Sequence, residues 1–189
     1  MRKRGIRVIT GELKGLRLRA PPKGRARPTS DMVRGAIFSM LEAMGVSFGR
    51  MLDLYAGTGA LGIEALSRGA AQVDFVERDA RMSAVIRENL KAAGFADHAH
   101  VYNVEVARAV AFLSGPYDVI LMDPPYAEAD RDAVIGRVLT SGLVGPGTAI
   151  VVEHAHRRPL PQTLGSFHAV RQRRYGDTAI TIYRKEDVE

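Results

Sequence analysis

The chain has 189 residues, 46% of them hydrophobic and 25% charged, the balance of an ordinary soluble globular protein. That length buries a real core without staples, and the absence of cysteine excludes disulfides and thiolate metal sites and points to a reducing cytoplasm. No apolar run approaches the ~20 residues of a membrane span, and no apolar segment follows the basic start as it does in a secretory signal.

Charge is unevenly distributed. The formal net charge is +6, but residues 1–35 hold eleven Lys and Arg against Glu12 and Asp31, a balance of +9, while the remaining 154 residues carry −3. So dense a basic end suits a polyanion, whose counterions Lys and Arg displace. A solvated basic leader is the plainer alternative.

Within that end, Ile6, Val8 and Ile9, then Leu13, Leu16 and Leu18, interleave with the charges. The pattern is that of a basic β-hairpin turning near Gly11 or Gly15. Pro21-Pro22-Lys23-Gly24-Arg25-Ala26-Arg27-Pro28 reads as a stiff basic connector. Thr29-Ser30-Asp31 then offers caps for a helix with Val33, Ile37, Met40 and Leu41 on one face, and Arg34 near its start. A boundary between residues 45 and 50 divides the chain into a basic extension, 1–45, and a larger domain, 46–189.

From Met51 short apolar strands, at about 50–54, 72–76, 99–103, 118–122 and 148–153, alternate with helical stretches at about 61–68, 80–93, 105–113 and 130–140. Such alternation predicts a mostly parallel sheet with helices on both faces. Two further strands, around 167–173 and 179–183, flank Tyr175-Gly176-Asp177 as a closing antiparallel hairpin, so seven strands are expected. His154 and His156, two apart on a strand with no third ligand nearby, read as surface residues and not as a metal site. Arg171, Arg173 and Arg174 either extend the basic surface or form a solvated hairpin face.

The first of these strands runs Met51-Leu52-Asp53-Leu54-Tyr55 into Ala56-Gly57-Thr58-Gly59-Ala60-Leu61-Gly62. Gly57, Gly59 and Gly62 satisfy G-x-G-x-x-G between a strand and a helix, where glycines let the backbone turn tightly against a ligand. Glu77 ends the second strand 20 residues after Gly57, where an acid accepts from ribose hydroxyls. Both a nicotinamide dinucleotide and S-adenosylmethionine fit these features. Asp53 leans toward the second, since its carboxylate attracts a methionine ammonium and repels a pyrophosphate. Alternatively, Asp53 caps the loop's own amides. Glu105, just after the third strand, either accepts from an adenine amino group or serves the dipole of the following helix.

Asp123-Pro124-Pro125-Tyr126 ends the fourth strand, on the side of an open α/β sheet where ligands bind. The prolines fix the backbone and remove two donors, leaving the Asp123 carboxylate and peptide carbonyls as acceptors beside an aromatic ring. Acceptors next to a flat ring suit the exocyclic amine of a base, with the ring stacked on the base. The residues themselves stop at an exocyclic amine.

Together, Arg7-Val8-Ile9-Thr10-Gly11, Gly15-Leu16-Arg17-Leu18, the run from Arg27 to Arg34, the run from Asp53 to Gly69, Asp123 to Tyr126 and Tyr175-Gly176-Asp177-Thr178 resemble the RsmD family. Its members are bacterial 16S rRNA guanine-N2 methyltransferases. The resemblance covers nearly the whole chain. It implies a Rossmann-like class I methyltransferase fold with an N-terminal hairpin and helix, S-adenosylmethionine as cofactor, and no metal. It implies a cytoplasmic monomer acting on 16S rRNA in the small subunit or an assembly intermediate. It implies Asp123, Pro124, Pro125 and Tyr126 at the reacting amine. Around the cofactor it implies Asp53, Tyr55, Ala56, Gly57, Thr58, Gly59, Glu77, Arg78, Glu105 and Asp123. Against RNA it implies Arg7, Lys14, Arg17, Arg27, Thr29 and Arg34. Two positions depart from the family pattern: Gly35, where Glu is frequent, and Glu105, where Asp or Asn is common. An adenine-N6 DNA methyltransferase shares the Asp-Pro-Pro-Tyr logic but usually needs a target-recognition domain. A non-catalytic rRNA-binding assembly factor would explain the basic end but not an intact set of Asp53, Gly57, Gly59, Glu77 and Asp123.

Overall fold

Continuous apolar runs, unlike alternating ones, demand cover on both faces of a sheet. In the computed structural model, which describes residues 6–20, 30–124 and 131–185, those runs become β1 (Arg50–Leu54), β2 (Gln72–Val76), β3 (Ala99–Tyr102), β4 (Val119–Met122) and β5 (Ala149–Ala155). These five strands are parallel to one another. The closing hairpin, β7 (Phe167–Tyr175) and β8 (Thr178–Lys185), joins antiparallel with β8 beside β5. Among the described residues eight strands stand where seven were expected, in the order β3-β2-β1-β4-β5-β8-β7-β6. The extra one, β6 (Thr163–Leu164), is two residues long on the outer edge, too short to leave a period in the sequence.

Helices α1 (Asp31–Ala43), α2 (Ala60–Ser67) and α3 (Ala80–Ala93) cover one face, where Ile37, Leu41, Ile63 and Ile86 pack with Phe75, Leu121 and Val151. Helices α4 (Val106–Phe112) and α5 (Arg131–Leu139) cover the other, where Ala109, Ile135 and Val138 meet Leu54, Ile120 and Ile150. Ser30 caps α1 by accepting from the Val33 amide at 3.2 Å.

The N-terminal hairpin is narrower than two full strands. Val8 N–H donates to Leu16 O and Leu18 N–H to Ile6 O, both at 2.9 Å, and Arg7 lies opposite Arg17. Both glycines named for the turn have positive φ, Gly11 at 86° and Gly15 at 91°. The ladder stops early because the backbone of residues 9–13 is drawn to α2. The Glu64 carboxylate accepts from the amides of Ile9 and Thr10 at 2.7 and 3.0 Å. Ser67 Oγ accepts from Leu13 N–H at 3.0 Å and donates to Thr10 O at 2.8 Å. Gly11 comes so close that a Cβ there would overlap the Ser67 carbonyl. Ile6, Val8 and Leu18 join the core of the sheet's first face, so the described residues of this basic extension have no separate core.

Candidate active site

Strand register sets the site. Leu54, Val76, Tyr102, Met122 and Val152 form one row across β1–β5. Tyr55, Glu77, Asn103, Asp123 and Glu153 therefore stand one residue beyond it, along the carboxyl edge. Strand order reverses between β1 and β4, so the glycine loop and Asp123-Pro124 emerge side by side at the switch point, where open α/β sheets bind ligands.

The loop after β1 turns through three left-handed residues, Tyr55 (φ 63°), Gly57 (55°) and Gly59 (76°). Tyr55 is the unusual one, because only glycine adopts that region freely. Gly62 serves packing, since a Cβ there would collide with the Phe75 ring beneath α2. Gly59, the N-cap of α2, has no side chain to give, and Asp53 supplies the cap from below: its Oδ2 accepts from the Gly62 amide at 2.9 Å. The capping role weighed for Asp53 is thus present. Its carboxyl is also 1% exposed and pushed up to about 7, chiefly by burial, with the charges of Asp123 and Glu77 adding to the rise against the Gly62 bond. A buried acid held this close to neutrality gains most from a cation beside it.

Glu77 closes the loop from β2. Its Oε2 accepts from Gly57 N–H at 2.9 Å and its Oε1 from Asp79 N–H at 2.8 Å. Asn103 braces that turn from β3, donating through Nδ2 to the carbonyls of Glu77 and Arg78, both at 2.9 Å. Arg78, Asn103 and Glu105 help line an open cleft of ≈ 550 Å³ along this edge. Glu105 is the exposed N-cap of α4, yet its side chain makes no capping bond, so it is left to face the cleft. Ala56 and Thr58 are buried within the loop. Across the switch point Asp123 is half-buried and Pro124 buried. Pro125 and Tyr126, like Arg27 and Thr29, lie outside the described residues.

The arginines expected against RNA separate. Arg7, Lys14 and Arg17 are exposed on the hairpin, and Arg7 Nε pairs with Asp31 at 3.1 Å. Arg34 does not join them. Its side chain is 1% exposed and donates through Nη2 to Arg7 O at 2.7 Å and to Asp31 Oδ1 at 2.9 Å. It braces the hairpin against α1 from inside, and so presents no guanidinium to RNA. His154 likewise turns out buried and not at the surface, with Nε2 3.0 Å from Thr181 Oγ1.

Sequence reasoning missed four residues. Asn103 follows β3 as Glu77 follows β2, and its register was the available signal. Glu153 is buried beside Asp123 in the same row. Glu64 is a lone charge in an otherwise apolar α2, which marks a buried partner. Asn89 interrupts the apolar stripe of Ile86, Leu90 and Ala93 on α3, and it holds the hairpin's exit to the glycine loop. Its Nδ2 donates to Thr58 O at 3.1 Å and Arg19 O at 3.2 Å, and its Oδ1 accepts from Arg19 N–H at 2.7 Å.

A sheet with this order, a glycine loop after β1, an acid closing it from β2 and Asp-Pro after β4 define a class I methyltransferase fold. The family model described as Conserved hypothetical protein 95 matches residues 6–184. YlbH of Bacillus subtilis, a putative rRNA methyltransferase, is 38% identical over 185 residues, covering 95% of this chain and 99% of its own. Ribosomal RNA small subunit methyltransferase D of Escherichia coli is 32% identical over 181 residues, covering 96% and 90%. Among solved structures, the putative methyltransferase yhhF from Escherichia coli superposes with a TM-score of 0.84 at 30% identity, over 96% of this chain and 98% of that one. The chain belongs to this family, the RsmD family that its motifs resemble.

Proposed function

We propose that this protein moves the methyl group of S-adenosylmethionine to the exocyclic N2 of one guanine in 16S rRNA, working as a cytoplasmic monomer on the small subunit or an assembly intermediate. Methylation of rRNA is the activity its relatives carry by name. The observation that carries the reading is the meeting of Asp123-Pro124 with the glycine loop at the β1–β4 switch point.

The residues present fit the cofactor. Glu77 offers carboxylate oxygens at the end of β2 for a ribose diol, and Asp53 is a buried carboxyl that an ammonium would return to its ionised form. Glu105 lines the cleft where an adenine amino group would lie. When bound, the cofactor supplies an electrophilic methyl on a sulfonium.

The protein's part is to present the nitrogen. An exocyclic amine conjugated to a base is a poor nucleophile because its lone pair is delocalised. Asp123 and a neighbouring carbonyl accept its two N–H bonds, which favours a pyramidal nitrogen and the positive charge that grows during attack. With the cofactor held there, the N–C bond would form as the C–S bond broke, the electron pair leaving with sulfur. The extra proton on nitrogen is then acidic enough to pass to Asp123 or water. Tyr126 is the stacking ring for the base, a contact worth roughly 1–3 kcal/mol, and positioning does most of the rest.

The test incubates the protein and labelled S-adenosylmethionine with small subunits from cells lacking the enzyme, followed by digestion of the 16S rRNA and mass analysis. One N2-methylguanine is expected. Asp123→Ala abolishes its formation while cofactor affinity stays within a few-fold of wild type. Transfer to DNA or to protein, with none to subunits, overturns the substrate. Lost cofactor affinity with normal turnover overturns the role of Asp123.

A further inference from the structure

The −3 balance of residues 36–189 conceals a second concentration of positive charge. Residues 154–185 hold seven Arg and Lys against one acid, Asp177, a balance of +6, whereas residues 36–153 and 186–189 together carry −9. Register decides where the charge goes. Glu153, one place beyond the row of Met122 and level with Asp123, pairs with Ile180, and Ile180 pairs with Arg173. Arg173 therefore lies in the same cross-sheet row as Asp123, three strand spacings away, or ~14 Å.

The face is settled as well. Partners across a sheet point to the same side. Ile180 and Ile182, opposite Arg173 and Arg171, belong to the core that α1, α2 and the N-terminal hairpin cover. Tyr175, two residues after Arg173, packs on that core too. Arg171 and Arg173 thus share a face with the N-terminal hairpin, on the opposite flank of the active site. Arg171, Arg173 and Arg174 are all exposed. They donate to the backbone carbonyls of Val170, Gln172 and Gly176, and among the described residues none of the three is ion-paired with a carboxylate. Arg171 and Arg173 on this face and Arg174 beside them on the other face of the same edge have no acid between them, and they repel one another unless a polyanion comes to them.

We infer that the exposed edge of β7, through Arg171, Arg173 and Arg174, is a second RNA-contact surface that grips the substrate backbone on the far side of the active site from the N-terminal hairpin. The inference rests on the rRNA reading above. The two basic flanks bracket Asp123, so the RNA strand crosses the carboxyl end of the sheet and delivers its target base at the midpoint. Contacts of this kind go to phosphates and fix register without reading sequence.

The experiment compares wild type with R171Q/R173Q/R174Q in binding to free 16S rRNA and to small subunits across a salt series. The triple variant is expected to bind on the order of tenfold more weakly at moderate salt, and its slope of log affinity against log salt falls by about 2 to 3. Its melting temperature and S-adenosylmethionine affinity stay at wild-type values, and R171K/R173K/R174K restores binding. Unchanged affinity and slope overturn the surface. Weakening on subunits with none on free rRNA assigns the edge to a ribosomal protein and also overturns it. Methyl transfer by wild type, followed in parallel, tests the functional reading separately, because the binding comparison stands whichever way transfer comes out.

Discussion

Asp53→Asn separates what the buried acid does for the cofactor from what it does for the fold. Moving this carboxyl from 3.8 to about 7 costs its ionised form on the order of 4 kcal/mol in the free protein. The folded value exceeds the unfolded one, so between roughly pH 4 and 7 the native state keeps a proton that the unfolded chain has released. Stability falls as pH rises through that window and levels off above it. The asparagine has no charge to bury, and its oxygen still accepts from the Gly62 amide. The variant is therefore expected to be the more stable protein at pH 8, by up to several kcal/mol, each worth roughly 2–4 °C in Tm for a chain of this size. The difference shrinks toward zero as pH approaches 4. Cofactor affinity moves the other way, falling at least tenfold because a charge-assisted contact to an ammonium is lost, about 1.5–3 kcal/mol. Thermal unfolding from pH 4.5 to 8 and calorimetric titration of S-adenosylmethionine read both effects. A variant less stable than wild type at pH 8, by an amount independent of pH, would show that the fold prefers Asp53 ionised and would refute the argument.

Glu77→Ala is expected to weaken S-adenosylmethionine binding at least tenfold while RNA affinity holds; equal losses of both would mean a collapsed loop and not a missing ribose acceptor. Glu64→Gln leaves a shape match but loses charge-assisted bonds to Ile9 and Thr10 and one of the two carboxylates paired with Arg68, which is 6% exposed; urea unfolding should report about 2–3 kcal/mol of lost stability. Gly35→Ala should raise stability by roughly 0.5–1 kcal/mol, since Gly35 is inside α1 and a Cβ there meets nothing within 4 Å. A lower Tm for that variant would mean the added methyl disturbs α1.

The strands were legible because burial on both faces leaves an unbroken apolar signature, and the helix before them because its cap, Ser30, is local. The glycine loop and the Asp-Pro ending were legible because each is contiguous in sequence. What escaped is what register and packing assemble. Arg34 was grouped with the surface arginines by its charge, but it shares the helical stripe of Ile37, Phe38 and Leu41, and that spacing marks it for burial. Asn103 and Glu153 acquire their places only when strands are paired. Strand β6, at two residues, has no period at all.

The near-contact of Gly11 with the Ser67 carbonyl bears on how these proteins are to be recombined. The hairpin is keyed to α2 by that missing side chain, by Glu64 and by Ser67, and to the glycine loop by Asn89. Exchanging residues 6–20 between relatives would transplant a key without its lock. A working chimera has to carry residues 60–67 and position 89 along with the hairpin, so the basic hairpin and the glycine loop are inherited as one piece.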